Sequence, residues 1–192
     1  MKVKPASKSG AVTLEVGRGE ERILEAASQP AAKPLAIRRI LAPIDFSEYS
    51  YKSLDYAVAF ARLCQAEITL LHIVPLNYID AEVIAFDFST IERQTAASCE
   101  TRLQKVREER VPAEIPAAVR VIIGRPVDDI VATAGKMNAD LIIMSTHGYT
   151  GLKHAFLGST TENVVRYAPC PVLTVREREH DFVSSPINRG RG

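Results

Sequence analysis

Leu141-Ile142-Ile143-Met144-Ser145-Thr146-His147-Gly148-Tyr149-Thr150-Gly151 is an apolar, strand-like run that opens into a glycine- and hydroxyl-rich loop. Six residues later, Gly158-Ser159-Thr160-Thr161-Glu162-Asn163 begins a helical pattern that continues to Tyr167. A strand, a glycine loop and a helix start, in that order, bring together backbone N–H groups that have no intrahelical carbonyl to serve. The helix dipole adds about half a positive charge at the same place, so the arrangement suits an anion, most often a phosphate. A strand leading into a helix is also the unit that repeats through the chain.

Upstream, Arg38-Arg39-Ile40-Leu41-Ala42-Pro43 is a strand entering a turn, with Pro43 where ladder donors are no longer needed. Leu54, Ala57, Val58, Ala61 and Cys64 then recur at helical spacing. Ile68 to Val74 is a second strand, ended by Pro75, and Ile91, Cys99, Leu103 and Val106 mark one face of a helix ending near Arg110. Ala118 to Ile123 is a third strand, stopped by Gly124. Pro126 takes the first-turn position of a short helix carrying Val127, Ile130, Val131 and Ala134. Ala139 to Met144 is the fourth strand, Ser159 to Tyr167 the fourth helix and Pro171 to Val175 the fifth strand.

Short, β-branched strands separated by helices predict a parallel sheet covered on both faces, the doubly wound α/β class. Ligands of such folds bind outside the carboxyl ends of the strands, where the strand order reverses. Pro43-Ile44-Asp45-Phe46-Ser47, Val74-Pro75 and the glycine loop all lie on that edge and are expected to converge on one crevice.

The ends of the chain fall outside this rhythm. Residues 1–35 hold an alternating piece, Val12-Thr13-Leu14-Glu15-Val16, a polar helical piece around Glu20 to Ala27, and a Pro/Ala linker, Gln29 to Pro34. They are expected to form a partly ordered extension ahead of a domain over 36–176. Residues 177–192, charged and punctuated by Gly and Pro, are expected to be a flexible tail.

The chain has 192 residues, 46% of them hydrophobic and 24% charged, which suits one ordinary globular domain and not two. A net charge of +1 with no central basic block leaves no electrostatic footprint for nucleic acid. No apolar run reaches the roughly 18 residues of a membrane span. No apolar stretch follows Met1 to Lys8 as a signal peptide would require, so a cytoplasmic location is expected. Cys64, Cys99 and Cys170 are odd in number and far apart, and read as buried thiols of a reducing compartment.

Each candidate residue carries two readings. Asp45, just past a strand end, can accept ribose hydroxyls or help hold a divalent ion, or it can make an Asx turn that caps the first helix. Ile73 and Val74 offer backbone groups to a base, or simply pack. Ser159 and Glu162 have the spacing of a capping box, which need not exclude a phosphate at the same terminus. His147 has no recognisable nucleophile and carboxylate orienter beside it, so it reads as structural. Arg38, Arg39, Arg102, Lys105, Arg107 and Arg110 read as solvated helix and strand faces. Neither G-x4-G-K-[S/T] nor G-x-G-x-x-G is present, which argues against a strong NTPase or a dehydrogenase. A flavin carrier is disfavoured because no aromatic pair flanks a phosphate loop after the first strand.

The set Ala42-Pro43-Ile44-Asp45-Phe46-Ser47, Leu71-His72-Ile73-Val74, Thr146-His147-Gly148, Gly158-Ser159 and Cys170-Pro171-Val172-Leu173 resembles the universal stress protein family over about residues 36 to 176. The resemblance implies a flavodoxin-like (adenine nucleotide alpha hydrolase-like) five-stranded sheet of order 3-2-1-4-5. It implies a homodimer built through the fifth strand, Val172, Leu173, Thr174 and Val175. It also implies a G-x2-G-x9-G-[S/T] loop that holds ATP, with Mg or Mn, and at most slow hydrolysis. Matched to that pattern, the nucleotide contacts fall on Pro43, Asp45, Ile73, Val74, Met144, Ser145, Gly148, Gly158, Ser159, Thr160 and Thr161, and the ion on Asp45. Here the motif reads Ser145-x2-Gly148-x9-Gly158-Ser159. If the first position needs positive φ, a Cβ there costs roughly 1 kcal/mol or more; the serine hydroxyl can instead donate to a phosphate oxygen. The implied role is a nucleotide-binding regulator of the stress response. The alternative is a dimeric interaction protein of the same fold that binds no nucleotide.

Overall fold

The computed structural model describes residues 2–5, 12–15, 36–75, 88–146, 158–176, 180–181 and 183. The chain divides into two compact units, Met1–Leu35 and Ala36–Gly192. In the first, strand β1 (Lys2–Pro5) pairs antiparallel with β2 (Val12–Glu15). Only the second of these strands is visible in the alternation of the sequence. The helical piece around Glu20 and the linker from Gln29 to Pro34 lie outside the described residues.

The second unit runs β3 (Arg39–Pro43), α1 (Glu48–Cys64), β4 (Glu67–Pro75), α2 (Phe88–Arg110), β5 (Ala117–Gly124), α3 (Pro126–Lys136), β6 (Leu141–Ser145), α4 (Ser159–Tyr167) and β7 (Val172–Val175). Its sheet has the order β5-β4-β3-β6-β7, and every pairing is parallel. In order of the strands within this unit that is 3-2-1-4-5, the doubly wound arrangement.

Alternation along the strands assigns the two faces. Ile40, Ala42, Ile68, Leu70 and Ile143 are buried with Leu54, Ala57 and Ala61 of α1 and Leu103 and Val106 of α2. Leu41, Leu71, Ile73, Ile142 and Met144 are buried with Ile130 and Ala134 of α3 and Val164 of α4. Burial on both faces explains why β3 and β6 read as unbroken apolar runs. The chain leaves β3 toward β4 and β5, then returns to lay β6 on its other side. Strand order therefore reverses between β3 and β6, at the ends carrying Pro43 and Ser145.

Local chemistry ends the helices near that edge. Ser47 caps α1 by accepting from the Ser50 N–H at 3.2 Å. At α3 the Arg125 N–H donates to the Asp129 carboxylate at 2.7 Å. That carboxylate fills the space where a Cβ on Gly124 would sit, which is why glycine stops β5.

Two sequence expectations, those for the basic residues of α2 and for the cysteines, need correction. The basic residues of α2 do more than face solvent. Arg110 lies 3.8 Å from Asp55 and over the Tyr51 ring, Arg107 donates to the Ala117 carbonyl at 3.0 Å, and Arg102 stands over Phe46. Long side chains reach across to neighbouring elements, which spacing within one helix does not reveal. The cysteines are half-buried free thiols, not fully buried ones. In the tail, Asp181 pairs with Lys52 at 2.7 Å and accepts from the Tyr56 hydroxyl at 3.0 Å, while Val183 packs on the α1 side of the core.

Candidate functional site

At the reversal of strand order the ends of β3, β4 and β6 and the starts of α3 and α4 enclose a cavity of about 300 Å³. Its wall is mainly apolar: Pro43, Ile44, Leu71, Ile73, Pro75, Ile130 and Met144. Polar groups come from Asp45, His72, Ser145, Thr146, Ser159, Thr160 and Thr161. Asp45 is the one carboxylate among the described lining residues. An apolar recess with a few convergent polar groups is the usual form of a small-molecule site.

The start of α4 gives the cavity its polar end. Its cap is Gly158, and among the described residues no side-chain cap bonds the first turn. This corrects the expected capping box: Ser159 is the first helical residue, and Glu162 faces Arg166 at 3.4 Å. The cap falls one residue earlier because Gly158 is drawn against β6, its N–H donating to the Thr146 carbonyl at 2.8 Å. The Thr161 hydroxyl donates to the Ser145 carbonyl at 2.9 Å and ties the same turn to the strand. Ser159, Thr160 and Thr161 are left with first-turn N–H groups that no intrahelical carbonyl can reach. By contrast, Ser47 caps the first turn of α1, while at α3 the Asp129 carboxylate accepts from the Arg125 N–H just ahead of the first turn.

Ser145 ends β6 in register with Val175, and its φ is not positive. The strain considered for a Cβ at the first motif position is therefore absent, and serine is accommodated as an ordinary strand residue. Asp45 makes the Asx turn, accepting from the N–H and the hydroxyl of Ser47, and also borders the cavity.

His72 lines the cavity and was not singled out as a site residue from the sequence. Its Nδ1 lies 2.7 Å from the Ile44 carbonyl, so that nitrogen carries the proton. Burial lowers its pKa from the ordinary 6.5, outweighing the Ile44 bond and the Asp45 charge, which raise it; Arg102 adds to the lowering. Alternation sets the ring on the opposite side of β4 from Leu71 and Ile73, but its neighbours come from other elements. Pro126 and Ile130 likewise join the wall from α3, where periodicity marks only a buried face.

Among the residues matched to the motif, Pro43, Asp45, Ile73, Met144, Ser145, Gly158, Ser159, Thr160 and Thr161 border this one cavity. Val74 belongs to β4 but is not among the lining residues. Gly148 and His147 lie outside the described residues. Among those that are described, no cluster of three or more His, Cys, Asp or Glu could hold a metal ion. No described helix is long and apolar enough to cross a membrane.

The fold defines a doubly wound α/β protein with a crevice at its switch point. Residues 36–176 match the universal stress protein family, and the chain belongs to that family. It is 28% identical over 156 residues to universal stress protein MJ0577 of Methanocaldococcus jannaschii, covering 73% of this chain and 96% of that one. It is 30% identical over 149 residues to universal stress protein YxiE of Bacillus subtilis, covering 72% and 98%. The solved structure of MJ0577 superposes with a TM-score of 0.67 at 29% identity, covering 76% of this chain and 99% of that one. A universal stress protein crystallised in complex with cAMP shares the fold at a TM-score of 0.53 and 21% identity, covering 73% and 97%.

Proposed function

We propose that this chain binds an adenine nucleotide, ATP foremost, in the crevice between β3 and β6, and acts as a cytoplasmic, homodimeric regulator of the stress response. The uncapped start of α4 carries the proposal. Three first-turn N–H groups, the Ser159 and Thr160 hydroxyls and the dipole of α4 face an apolar recess large enough to begin enclosing a nucleoside. The apolar wall from Ile44, Ile73 and Pro75 suits a base, and Asp45 suits sugar hydroxyls or a divalent ion carried by the phosphates. ATP with Mg or Mn is the ligand that uses all of these features.

Dimerisation through β7 is supported by the sheet. Among the described residues β7 pairs only with β6, and Val172, Leu173 and Thr174 are half-exposed. The other edge, β5, carries the exposed Arg120, a charge of the kind that discourages edge pairing. The free thiols Cys64, Cys99 and Cys170 suit a reducing compartment.

Mass spectrometry of small molecules released by heat from freshly purified protein tests the proposal. An adenine nucleotide retained in stoichiometric amount is expected. If none is retained and millimolar ATP does not raise the melting temperature, the non-nucleotide interaction protein is the correct description.

A further inference from the structure

Phe46 has φ of 64°, in the left-handed region that residues with a Cβ avoid. It stands between Asp45 and Ser47, in the turn that borders the cavity. A bulky residue keeps such a backbone only where its surroundings over-determine it. The Phe46 ring lies 4.4 Å from the His72 ring at an interplanar angle of 41°. On Phe46 also rests the Arg102 guanidinium, 4.2 Å from the ring centroid. His72 is itself fixed by its Nδ1–H bond to the Ile44 carbonyl, and the Ile44 N–H donates to Leu71 at 2.8 Å. The residue before Asp45 is thus bonded to β4, and the residue after it is held between β4 and α2. Asp45 and His72 border the cavity, whereas Phe46 and Arg102 do not.

We propose that Phe46, clamped between His72 and Arg102, is the positioning residue that holds the Asp45 carboxylate where the sugar hydroxyls of a bound nucleotide meet it. The proposal rests on the nucleotide-binding function given above. It explains why a phenylalanine occupies a backbone position that glycine would take without strain: the ring is needed as the middle layer of the stack. It also makes an exposed arginine of α2, remote from the ligand, a determinant of how the sugar is recognised.

The affinity ratio for ATP over 2′,3′-dideoxy-ATP reads this out, because general loosening of the fold weakens both ligands alike. Wild-type protein is expected to prefer ATP. Arg102→Ala should lower that preference about two- to fivefold, the range a cation–π contact supplies at an exposed site. Phe46→Leu should lower it further, and Arg102→Lys, which keeps a cation over the ring, should restore it. Should Phe46→Leu fold poorly, Arg102→Ala carries the test, since the residue is exposed. An unchanged ratio in Arg102→Ala overturns the proposal, as does a failure of Arg102→Lys to restore it. A wild-type protein that binds both ligands equally also overturns it while leaving nucleotide binding intact; one that binds neither overturns nucleotide binding itself.

Discussion

The Thr161 hydroxyl donates to the carbonyl of Ser145 at 2.9 Å, joining the first turn of α4 to the last residue of β6. Thr161 is almost fully buried, so removing its hydroxyl loses this bond inside the fold. Thr161→Val, close in shape, should lower stability by about 1–3 kcal/mol. It should also weaken ATP binding by loosening the helix start. Urea denaturation midpoints and an ATP titration of the same variant check the two effects.

Gly158 has φ of −66° and ψ of 147°, values any residue adopts. Glycine is needed there for close approach, since a Cβ would stand 3.0 Å from the Thr146 carbonyl that the Gly158 N–H already bonds. Gly158→Val should therefore displace α4 from β6, cost about 1–3 kcal/mol through overpacking, and abolish ATP binding. Gly158→Ala should fall between it and wild type in both urea stability and ATP affinity.

His72 makes stability depend on pH in a defined direction. Its folded-state pKa is lowered from 6.5, so between that lowered value and 6.5 the unfolded chain binds more protons than the folded one. The contribution is fully present above about pH 6.5 and is lost as the pH falls through the window. Asp140 and Asp181 have pKa values lowered from 3.8, so what they contribute is lost only below that pH. His72→Asn keeps a donor for Ile44 and should flatten the decline in urea midpoint between pH 7 and 5.

The elements around the site were legible because their residues obey local rules. β3 and β6 show as apolar runs since both faces are buried, and Pro126 and Gly124 mark the start of α3 and the end of β5. β1 was not legible, as Lys2, Val3, Lys4 and Pro5 alternate over only four residues and end on a proline, which demotes a strand reading. The site was legible where a residue type has a local meaning, as at Asp45 and Gly158. It was not where the meaning comes from contact between distant elements. Nothing beside Phe46 announces Arg102, and nothing beside Ser159 shows that Thr146 pulls the cap back to Gly158. Ser145, a departure from the motif in sequence, turns out to carry an ordinary strand backbone.

The backbone of β7 identifies the groups that would join two copies. Ile142 donates to the Pro171 carbonyl and Thr146 to the Val175 carbonyl, each at 3.0 Å. The odd-numbered residues thus turn their backbone toward β6, and Val172 and Thr174 turn theirs to the open edge. Thr174→Pro removes an outward donor without touching the bonds to β6, a substitution edge strands tolerate. Sedimentation velocity should show a dimer for wild type and a folded monomer for the variant.

Calorimetric titration of nucleotide-free protein with ATP and Mg is the most direct test of the crevice as a nucleotide site. Saturable binding of one ATP per chain is expected, with no binding in Gly158→Val. At 100 times the dissociation constant the ligand should stabilise the fold by about 2.7 kcal/mol. That corresponds to a rise of roughly 5–10 °C in Tm. Absence of saturable heat at millimolar ATP, from wild-type protein shown to be folded, would contradict nucleotide binding.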